Sequence, residues 1–362
     1  MNAPTAVRES NGIWLVAERE ITSKLRSKAF LISTGILLLI ALAGVLFSGF
    51  AGKNTEATPV AATAEVAATV SALPDVAVTT VADRAEAEQL VRDGEVDAAV
   101  VASDSAVGLT VIALDAPPTS LMMGLSQTPE VVVLDTGGTD PLLRYFISIG
   151  FGLVFMLAAS IFGGTIAQSV VEEKQTRVIE LLISTISART LLAGKVIGNT
   201  VLAMGQILAL TAVVIVGLMV TGQNDLLQVL GAPILWFAVF FLFGFVLLAS
   251  MFAAAAAMVS RQEDVGSTTM PITMLVMAPY FLVIFFNDNP LVLTILSYVP
   301  FSAPVGMPMR LFVGEAQWWE PLVSLVILLL SCVIAIRIGA RIYENSLLRM
   351  GGRVTLGEAL KG

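Results

Sequence analysis

The charged residues that could do chemistry are concentrated in one segment, residues 170–195, which reads VVEEKQTRVIELLISTISARTLLAGK. The chain has no histidine, which excludes His-based metal sites and general bases, and the single Cys332 allows neither an internal disulfide nor a Cys-rich zinc site. Its Gly-Lys pairs, at 52–53 and 194–195, lack the upstream glycine and following Ser/Thr of a phosphate-binding loop. We therefore expect no catalytic, cofactor-binding or metal-binding residues, and we interpret the segment as a docking element.

The elements that must position this segment are membrane spans. The chain has 362 residues, of which 56% are hydrophobic and 13% charged, whereas a soluble domain carries about 25% charged residues. Long apolar stretches predict an all-α polytopic membrane protein with six transmembrane helices, at residues 29–50, 143–169, 196–220, 233–259, 270–286 and 322–342. A cleaved signal peptide is the alternative for the first stretch, but its apolar core would be only about 7–15 residues long.

Three flanking segments complete the membrane part. In residues 1–28, Trp14, Leu15, Ile21 and Leu25 recur near helical spacing among basic residues, which predicts an amphipathic helix at the membrane surface. A solvated leader is the alternative. Residues 287–321 contain an apolar piece too short to span, several prolines and a Trp-Trp pair, and they predict an extracytoplasmic, interfacial re-entrant segment. Residues 343–362 form a basic tail.

Residues 51–142 are Ala/Val/Thr/Asp-rich and predict a small α/β domain. Strands are expected at residues 76–81, 96–102, 109–114 and 131–134. A helix is expected at 83–92, with Asp83 as its N-cap and Gly94 just past its end. Residues 57–72 are weakly patterned and predict a helical stalk or a loose linker. The alternating acids Asp93, Glu95 and Asp97 weakly suggest calcium, but they match no EF-hand spacing, and a solvated face is the simpler interpretation.

The distribution of basic residues predicts the orientation. With the N-terminus inside, the cytoplasmic segments carry 15 of the 20 Lys/Arg. Both termini and residues 170–195 are then cytoplasmic, and the α/β domain is extracytoplasmic. The acidic balance of the chain, with a net charge of −8, belongs to that outer domain and indicates no nucleic-acid partner.

Within residues 170–195, the spacing favours a short helix on the cytoplasmic side. Glu173 and Arg177 are four residues apart, in the favoured order for a helical ion pair. Residues 178–183 form a broad apolar stripe that would face the bundle, and the serines and threonines at 184–187 would break the helix. Gly194 would permit close packing, and Lys195 would extend towards the membrane interface. The alternative is a positive-inside loop with an interfacial helix.

The segment resembles the signature of ABC-2 type transporter permeases, in which a cytoplasmic acidic and leucine-rich pattern follows the second span and Gly-Lys opens the third. The form RVIELL, the leader motif RSKAF and the outer YVPFSAPVGMPMR are most similar to the NatB-like, sodium-extrusion branch. Ala188 stands where many members have proline, and the outer domain is short for this branch. The matching positions are Glu172, Glu173, Lys174, Arg177, Glu180, Leu181, Leu182, Ser184, Ser187, Gly194 and Lys195.

This resemblance implies a multi-pass protein of the cell membrane that pairs with a second permease copy, or with a paralogue. It also implies a separate cytoplasmic ATPase subunit that binds ATP and Mg²⁺ and presses on the helix around residues 172–187. The chain itself would then be no enzyme. Transport would be directed towards export.

The substrate is less defined by the sequence. Gln168, Asn199 and Gln206 are neutral polar residues of the predicted spans, and helix–helix hydrogen bonding is their simplest interpretation. The scarcity of ionisable residues in the spans favours a drug-like, peptide or lipid-like substrate, whereas the resemblance favours Na⁺. A further alternative is a membrane-anchored sensor or scaffold whose α/β domain binds a ligand.

Overall fold

The computed structural model describes residues 9–51, 57–73, 76–103, 108–114, 119–125, 141–347, 349 and 354–361. The chain divides into two compact units. The larger unit comprises Met1–Leu46 and Gly137–Gly362, and the smaller unit comprises Phe47–Thr136. The predicted strand at 131–134 lies outside the described residues.

The larger unit is helical. Its helices in chain order are α1 (Glu9–Leu25), α2 (Lys28–Ala51), α6 (Pro141–Gln175), α7 (Val178–Ile183), α8 (Ala188–Thr221), α9 (Asn224–Ala257), α10 (Val265–Phe285), α11 (Pro290–Tyr298), α12 (Ala303–Val313), α13 (Glu320–Leu347) and α14 (Leu356–Lys361). A 3₁₀ turn, Gln262–Asp264, leads into α10. In the described part of the chain, six helices are long and apolar enough to cross a membrane: α2, α6, α8, α9, α10 with the 3₁₀ turn, and α13.

Helix α9 is the centre of this unit and contacts α6, α8, α12 and α13. Its phenylalanines meet those of α6 in successive edge-on or tilted pairs, Phe151–Phe237, Phe155–Phe241 and Phe162–Phe245. The two helices approach closely because Gly163 receives the ring of Phe252; a Cβ built there would lie 2.4 Å from a ring carbon. Small residues therefore allow tight helix packing in an environment where water expulsion does not drive association.

The connection between α8 and α9 is shorter than the sequence predicts. Gly222, in the left-handed region at φ 73°, ends α8, and α9 begins at Asn224 rather than at Pro233. Pro233 therefore lies inside a helix. The first turns of α9 stay helical because Leu226, Leu227 and Leu230 pack against the core of the bundle. This packing offsets the cost of the backbone hydrogen bond that Pro233 cannot donate.

Residues 287–321 contain the helix pair α11 and α12. Helix α12 is buried along most of its length. Gly306 allows it to lie against the backbone of Leu296 and Ser297 in α11. Arg310, only 4% exposed, donates to Ser297 Oγ at 3.1 Å and pairs with Glu320 Oε2 at 2.8 Å. These contacts fix α11 and α12 to the start of α13.

The smaller unit is an α/β sheet layer. It contains β1 (Thr58–Thr63), α3 (Ala64–Ser71), β2 (Val76–Val81), α4 (Arg84–Asp93), β3 (Ala98–Ala102), β4 (Leu109–Ala113) and α5 (Thr119–Leu125). The strand order is β2-β1-β3-β4, with β1 parallel to β2 and β3, and β4 antiparallel to β3. Asp83 caps α4 by accepting from Glu86 N, and Gly94 ends it in the left-handed region, which confirms both predicted caps.

The prediction of a stalk or linker at residues 57–72 is wrong. This stretch supplies the central strand β1, whose Val60, Ala61 and Ala62 are fully buried, and the helix α3. The strand was missed because its small alanines are buried on both faces and do not produce the alternation that marks a half-exposed strand.

Candidate functional site

The predicted docking segment is built from three helices. Helix α6 continues to Gln175, the six-residue α7 follows, and α8 begins at Ala188. Arg177 connects the first two in the left-handed region at φ 52°, a conformation that is uncommon for a residue with a side chain. Ser187 caps α8 by accepting from Thr190 N at 3.1 Å. Ala188 therefore occupies the first helical position, where proline is also well tolerated.

Helix α7 presents an exposed face. Leu181 is 73% exposed and Val178 is 38% exposed, whereas Ile179 is fully buried. The prediction that the whole apolar stripe of residues 178–183 faces the bundle is therefore wrong in part. Ile179 lies in the core, whereas Val178 and Leu181 lie at the surface. Glu172, Arg177 and Glu180 are also exposed. The exposed part of the segment therefore combines a large apolar side chain with charges of both signs.

The remaining predicted residues of the segment have local roles. Leu182 is partly buried against the core. Ser184 donates to Leu181 O at 2.7 Å, which is compatible with a helix end. The helix does end at Ile183, so the predicted break in residues 184–187 is confirmed.

Glu173 does not pair with Arg177 as the spacing suggests. Helix α6 ends before Arg177, and Glu173 turns inward to contact Arg19 of α1 and Lys195 of α8. We call Arg19, Glu20, Ser169, Glu173 and Lys195 the buried ion cluster; Lys195 and Glu20 are its buried centre, and Arg19, whose side chain is 44% exposed, forms its outer edge. It joins α1, α6 and α8 at one end of the bundle.

Lys195 is the centre of this cluster. Its Nζ lies 2.9 Å from Glu20 Oε1, 3.0 Å from Glu173 Oε2 and 2.6 Å from Ser169 Oγ. The residue is 0% exposed, so the prediction that Lys195 extends to the membrane interface is wrong. The physical reason is that α1 covers it and supplies a carboxylate.

Glycines of α8 allow α1 to come so close. A Cβ built on Gly194 would lie 2.5 Å from Val16 Cβ, and one on Gly198 would lie 2.9 Å from Ala17 O. The two glycines are four residues apart and form a smooth strip along one face of the helix. Close packing at Gly194 is thus confirmed, and the helix that packs there is α1.

The charges of the cluster balance, with two carboxylates, one ammonium and one guanidinium. Burial alone would raise the pKa of Glu20, but the charge and hydrogen bond of Lys195 and the nearby Arg19 hold that pKa below its usual value. Glu20 is therefore ionised at neutral pH. A buried ion pair of this kind is costly to break because the remaining charge has no water to solvate it.

Lys174, the next residue along α6, turns to the opposite side. It is 1% exposed, and its Nζ donates to Ala257 O of α9 at 2.8 Å and to Ser346 O of α13 at 2.9 Å. The last carbonyl groups of a helix have no partner within the helix and carry partial negative charge. The lysine therefore joins α6 to the ends of two further spans.

The polar residues of the spans do not form one site. Asn199 is buried, and its Nδ2 donates to Lys195 O at 2.9 Å. Its Oδ1 accepts from Thr165 Oγ1 at 3.5 Å. This supports the interpretation as helix hydrogen bonding. Gln206 is 7% exposed and Gln168 is exposed. In the described part of the chain, no group of three metal-ligating side chains comes together. Asp93, one of the three acids that weakly suggested calcium, accepts hydrogen bonds from Gln89 Nε2.

The sequence reasoning missed Arg19, Glu20, Ser169 and Gly198. Two signals could have found them. Glu20 follows the apolar Val16 and Ala17 at helical spacing in the leader, and Gly194-x-x-x-Gly198 has the spacing of a helix-packing motif.

Comparison with known proteins identifies the family. The model of the ABC-2 family transporter protein matches residues 28–341. The chain belongs to the ABC-2 transporter family.

The curated relatives are distant. The uncharacterized protein YhaP of Bacillus subtilis is 26% identical over 267 residues, covering 70% of this chain and 64% of its own. The uncharacterized protein MJ1024 of Methanocaldococcus jannaschii is 27% identical over 229 residues, covering 61% of this chain and 55% of its own. The matched region thus spans less than two thirds of the length of these relatives. No solved structure matches.

Proposed function

We propose that this chain is the membrane-spanning permease subunit of an ATP-driven exporter of the cell membrane, and that α7 receives a separate cytoplasmic ATPase subunit. ATP and Mg²⁺ bind to that partner. The observation that carries the proposal is the exposed Leu181 at the surface of α7, with Glu172, Arg177 and Glu180 around it. Protein interfaces combine an apolar core with a polar rim, and the exposed residues of α7 and its flanks have this composition.

The path of coupling follows from the contacts of α6. Force applied to α7 reaches the last turn of α6, where Glu173 contacts α1 and α8 and Lys174 contacts α9 and α13. The ATPase would therefore move a connected group of spans. Such a movement requires that the partner binds two arrangements of the spans with different affinity.

The topology, assembly and substrate are part of the same proposal. Both termini are cytoplasmic, and the α/β unit is extracytoplasmic. The chain pairs with a second copy of itself or with a paralogue.

The substrate is amphipathic, because the described spans bring together no ionic site open to a cation. The carboxylates of the buried ion cluster already pair with Lys195 and Arg19. The NatB-like resemblance supports Na⁺ instead, and transport assays with both substrate classes separate the two.

Co-purification tests whether the exposed surface of α7 around Leu181, called the docking face, binds the ATPase subunit. Tagged full-length chain is isolated from its native membrane, and the co-purifying nucleotide-binding subunit and its ATPase activity are quantified. Leu181→Asp places a charge at the centre of the face and should reduce recovery of that subunit by at least about tenfold.

Leu356→Asp is the matched control, because Leu356 is also exposed, at 56%, and lies in the tail predicted to be cytoplasmic. It should leave recovery unchanged. Equal recovery with wild type and both variants, or equal loss with both, would contradict a docking site on α7.

A further inference from the structure

A second feature of the helical unit is a cleft of about 960 Å³ between α8, α9 and α13. We call it the arginine groove. Its walls are largely apolar and include Val196, Ile197, Val201, Leu242, Val246 and Ile336. Ile197, Val201 and Ile336 are 40%, 47% and 41% exposed, so the groove offers uncovered hydrocarbon surface along its length.

One end of the groove is cationic. Arg189, Arg337 and Arg341 line it, and Glu344 is the single acidic residue in the lining. Glu344 is engaged by Arg189, with its Oε1 2.6 Å from Arg189 Nε. Arg337 and Arg341 are exposed and have no acidic partner among the described residues. They are four residues apart, so both project from the same face of α13.

We infer that the arginine groove binds an anionic phospholipid of the surrounding bilayer, with its phosphate between Arg337 and Arg341 and an acyl chain along the apolar walls. Charge complementarity selects the anion, because Arg337 and Arg341 lie on one face of α13 and the one carboxylate of the lining, that of Glu344, pairs with Arg189 instead. The volume and the apolar lining select a hydrocarbon chain over a small soluble anion. Guanidinium groups are suited to phosphate because their fork of donors matches its oxygens.

The position of the groove gives such a lipid a structural consequence. Arg189 belongs to the first turn of α8, and Arg337 and Arg341 belong to the second half of α13. A lipid bound there would place its phosphate on α13 and its acyl chain against α8 and α9, so it would link α13 to these two helices. The lipid would thereby stabilise this end of the bundle from the membrane side.

The test uses the purified full chain in nanodiscs of phosphatidylcholine with increasing phosphatidylglycerol. Retained phosphatidylglycerol is measured by native mass spectrometry after release, and thermal unfolding is followed in parallel. The wild type should retain phosphatidylglycerol in preference to phosphatidylcholine. Because each arginine near an anionic membrane contributes roughly fivefold in affinity, Arg337→Gln/Arg341→Gln should weaken this preference by roughly 30-fold.

Two further variants make the result specific. Arg261→Gln/Arg349→Gln removes the same charge from exposed positions outside the groove and should retain the wild-type preference. Val201→Trp fills the apolar wall while keeping both arginines, and it should also weaken retention. Glycerophosphoglycerol, the headgroup without acyl chains, should not compete.

Several outcomes would overturn the inference. Equal loss in both double variants would indicate general surface electrostatics. Competition by the headgroup alone would indicate a site for a soluble anion. A change of oligomeric state in the groove variants, without a change of lipid preference, would indicate that a second copy covers the groove.

Discussion

Replacing Lys195 by methionine tests whether the buried ion cluster holds the end of the bundle together. Lys195 is 0% exposed and lies within 3.0 Å of two carboxylates. Its removal leaves Glu20 and Glu173 with only Arg19, so one buried negative charge loses its partner. Removing one member of a buried pair costs about 3–5 kcal/mol, which is a large share of the roughly 5–15 kcal/mol that stabilises a typical domain.

The assay is equilibrium unfolding of the purified full chain by SDS in mixed micelles, with the midpoint and slope converted to a free energy. Arg189→Met is the matched control on the same helix. Its pair with Glu344 has a similar length, 2.6 Å, but the arginine is 74% exposed, and an exposed pair contributes only about 0–1 kcal/mol.

The double variant Lys195→Met/Glu20→Gln separates loss of charge balance from loss of packing. It removes one charge of each sign and leaves Glu173 with Arg19. It should therefore be less destabilised than Lys195→Met alone, which appears as a coupling energy in the mutant cycle. The reasoning is refuted if Lys195→Met costs no more than Arg189→Met, because the cluster would then be hydrated rather than buried.

Two further predictions concern the same end of the bundle. The pKa of Glu20 is lowered by folding, so its contribution to stability is complete at pH 7 and is lost as the pH falls below about 4.3, the ordinary glutamate pKa, through the lower folded value. Unfolding midpoints measured from pH 7 to pH 3 should fall less steeply in Glu20→Gln, and parallel curves would contradict this. Gly194→Ala places a Cβ 2.5 Å from Val16 Cβ and should destabilise the chain by about 1–3 kcal/mol in the same unfolding assay. Gly205→Ala, where nothing lies within 4 Å, should be neutral or stabilising, and equal effects of the two would exclude tight packing at Gly194.

The sequence allowed the long helices to be predicted because each is a long apolar run, and length and hydropathy are local properties. The same holds for α4, where Asp83 and Gly94 mark both ends through local hydrogen bonding and backbone conformation. Helix starts were less predictable. The position of Asn224 at the start of α9 depends on leucines that contact other helices, and no local pattern records those contacts.

The buried ion cluster could not be predicted by the same means. Glu20 and Lys195 are far apart in the sequence, and only the packing of α1 on the glycines of α8 brings them within 2.9 Å. Local reasoning paired Glu173 with Arg177 on the assumption of one continuous helix. The left-handed conformation of Arg177 ends that continuity, and it frees Glu173 to turn inward.

The two inward-facing residues at the end of α6 determine how a push on α7 is distributed. Glu173 and Lys174 are adjacent, and so they project from neighbouring faces of the helix and reach different spans. Helix α7 itself is bounded by non-helical residues on both sides, Arg177 and Ser187. The fully buried Ile179 fixes α7 to the core of the bundle, so α7 cannot tilt on these two residues without displacing its neighbours. The last turn of α6 cannot move alone either, because displacing it would separate Lys195 from Glu173 and would leave Lys174 without its carbonyl partners. The least costly response to force on α7 is consequently a joint movement of α1, α6, α8 and the ends of α9 and α13, in which every buried charge keeps its partner.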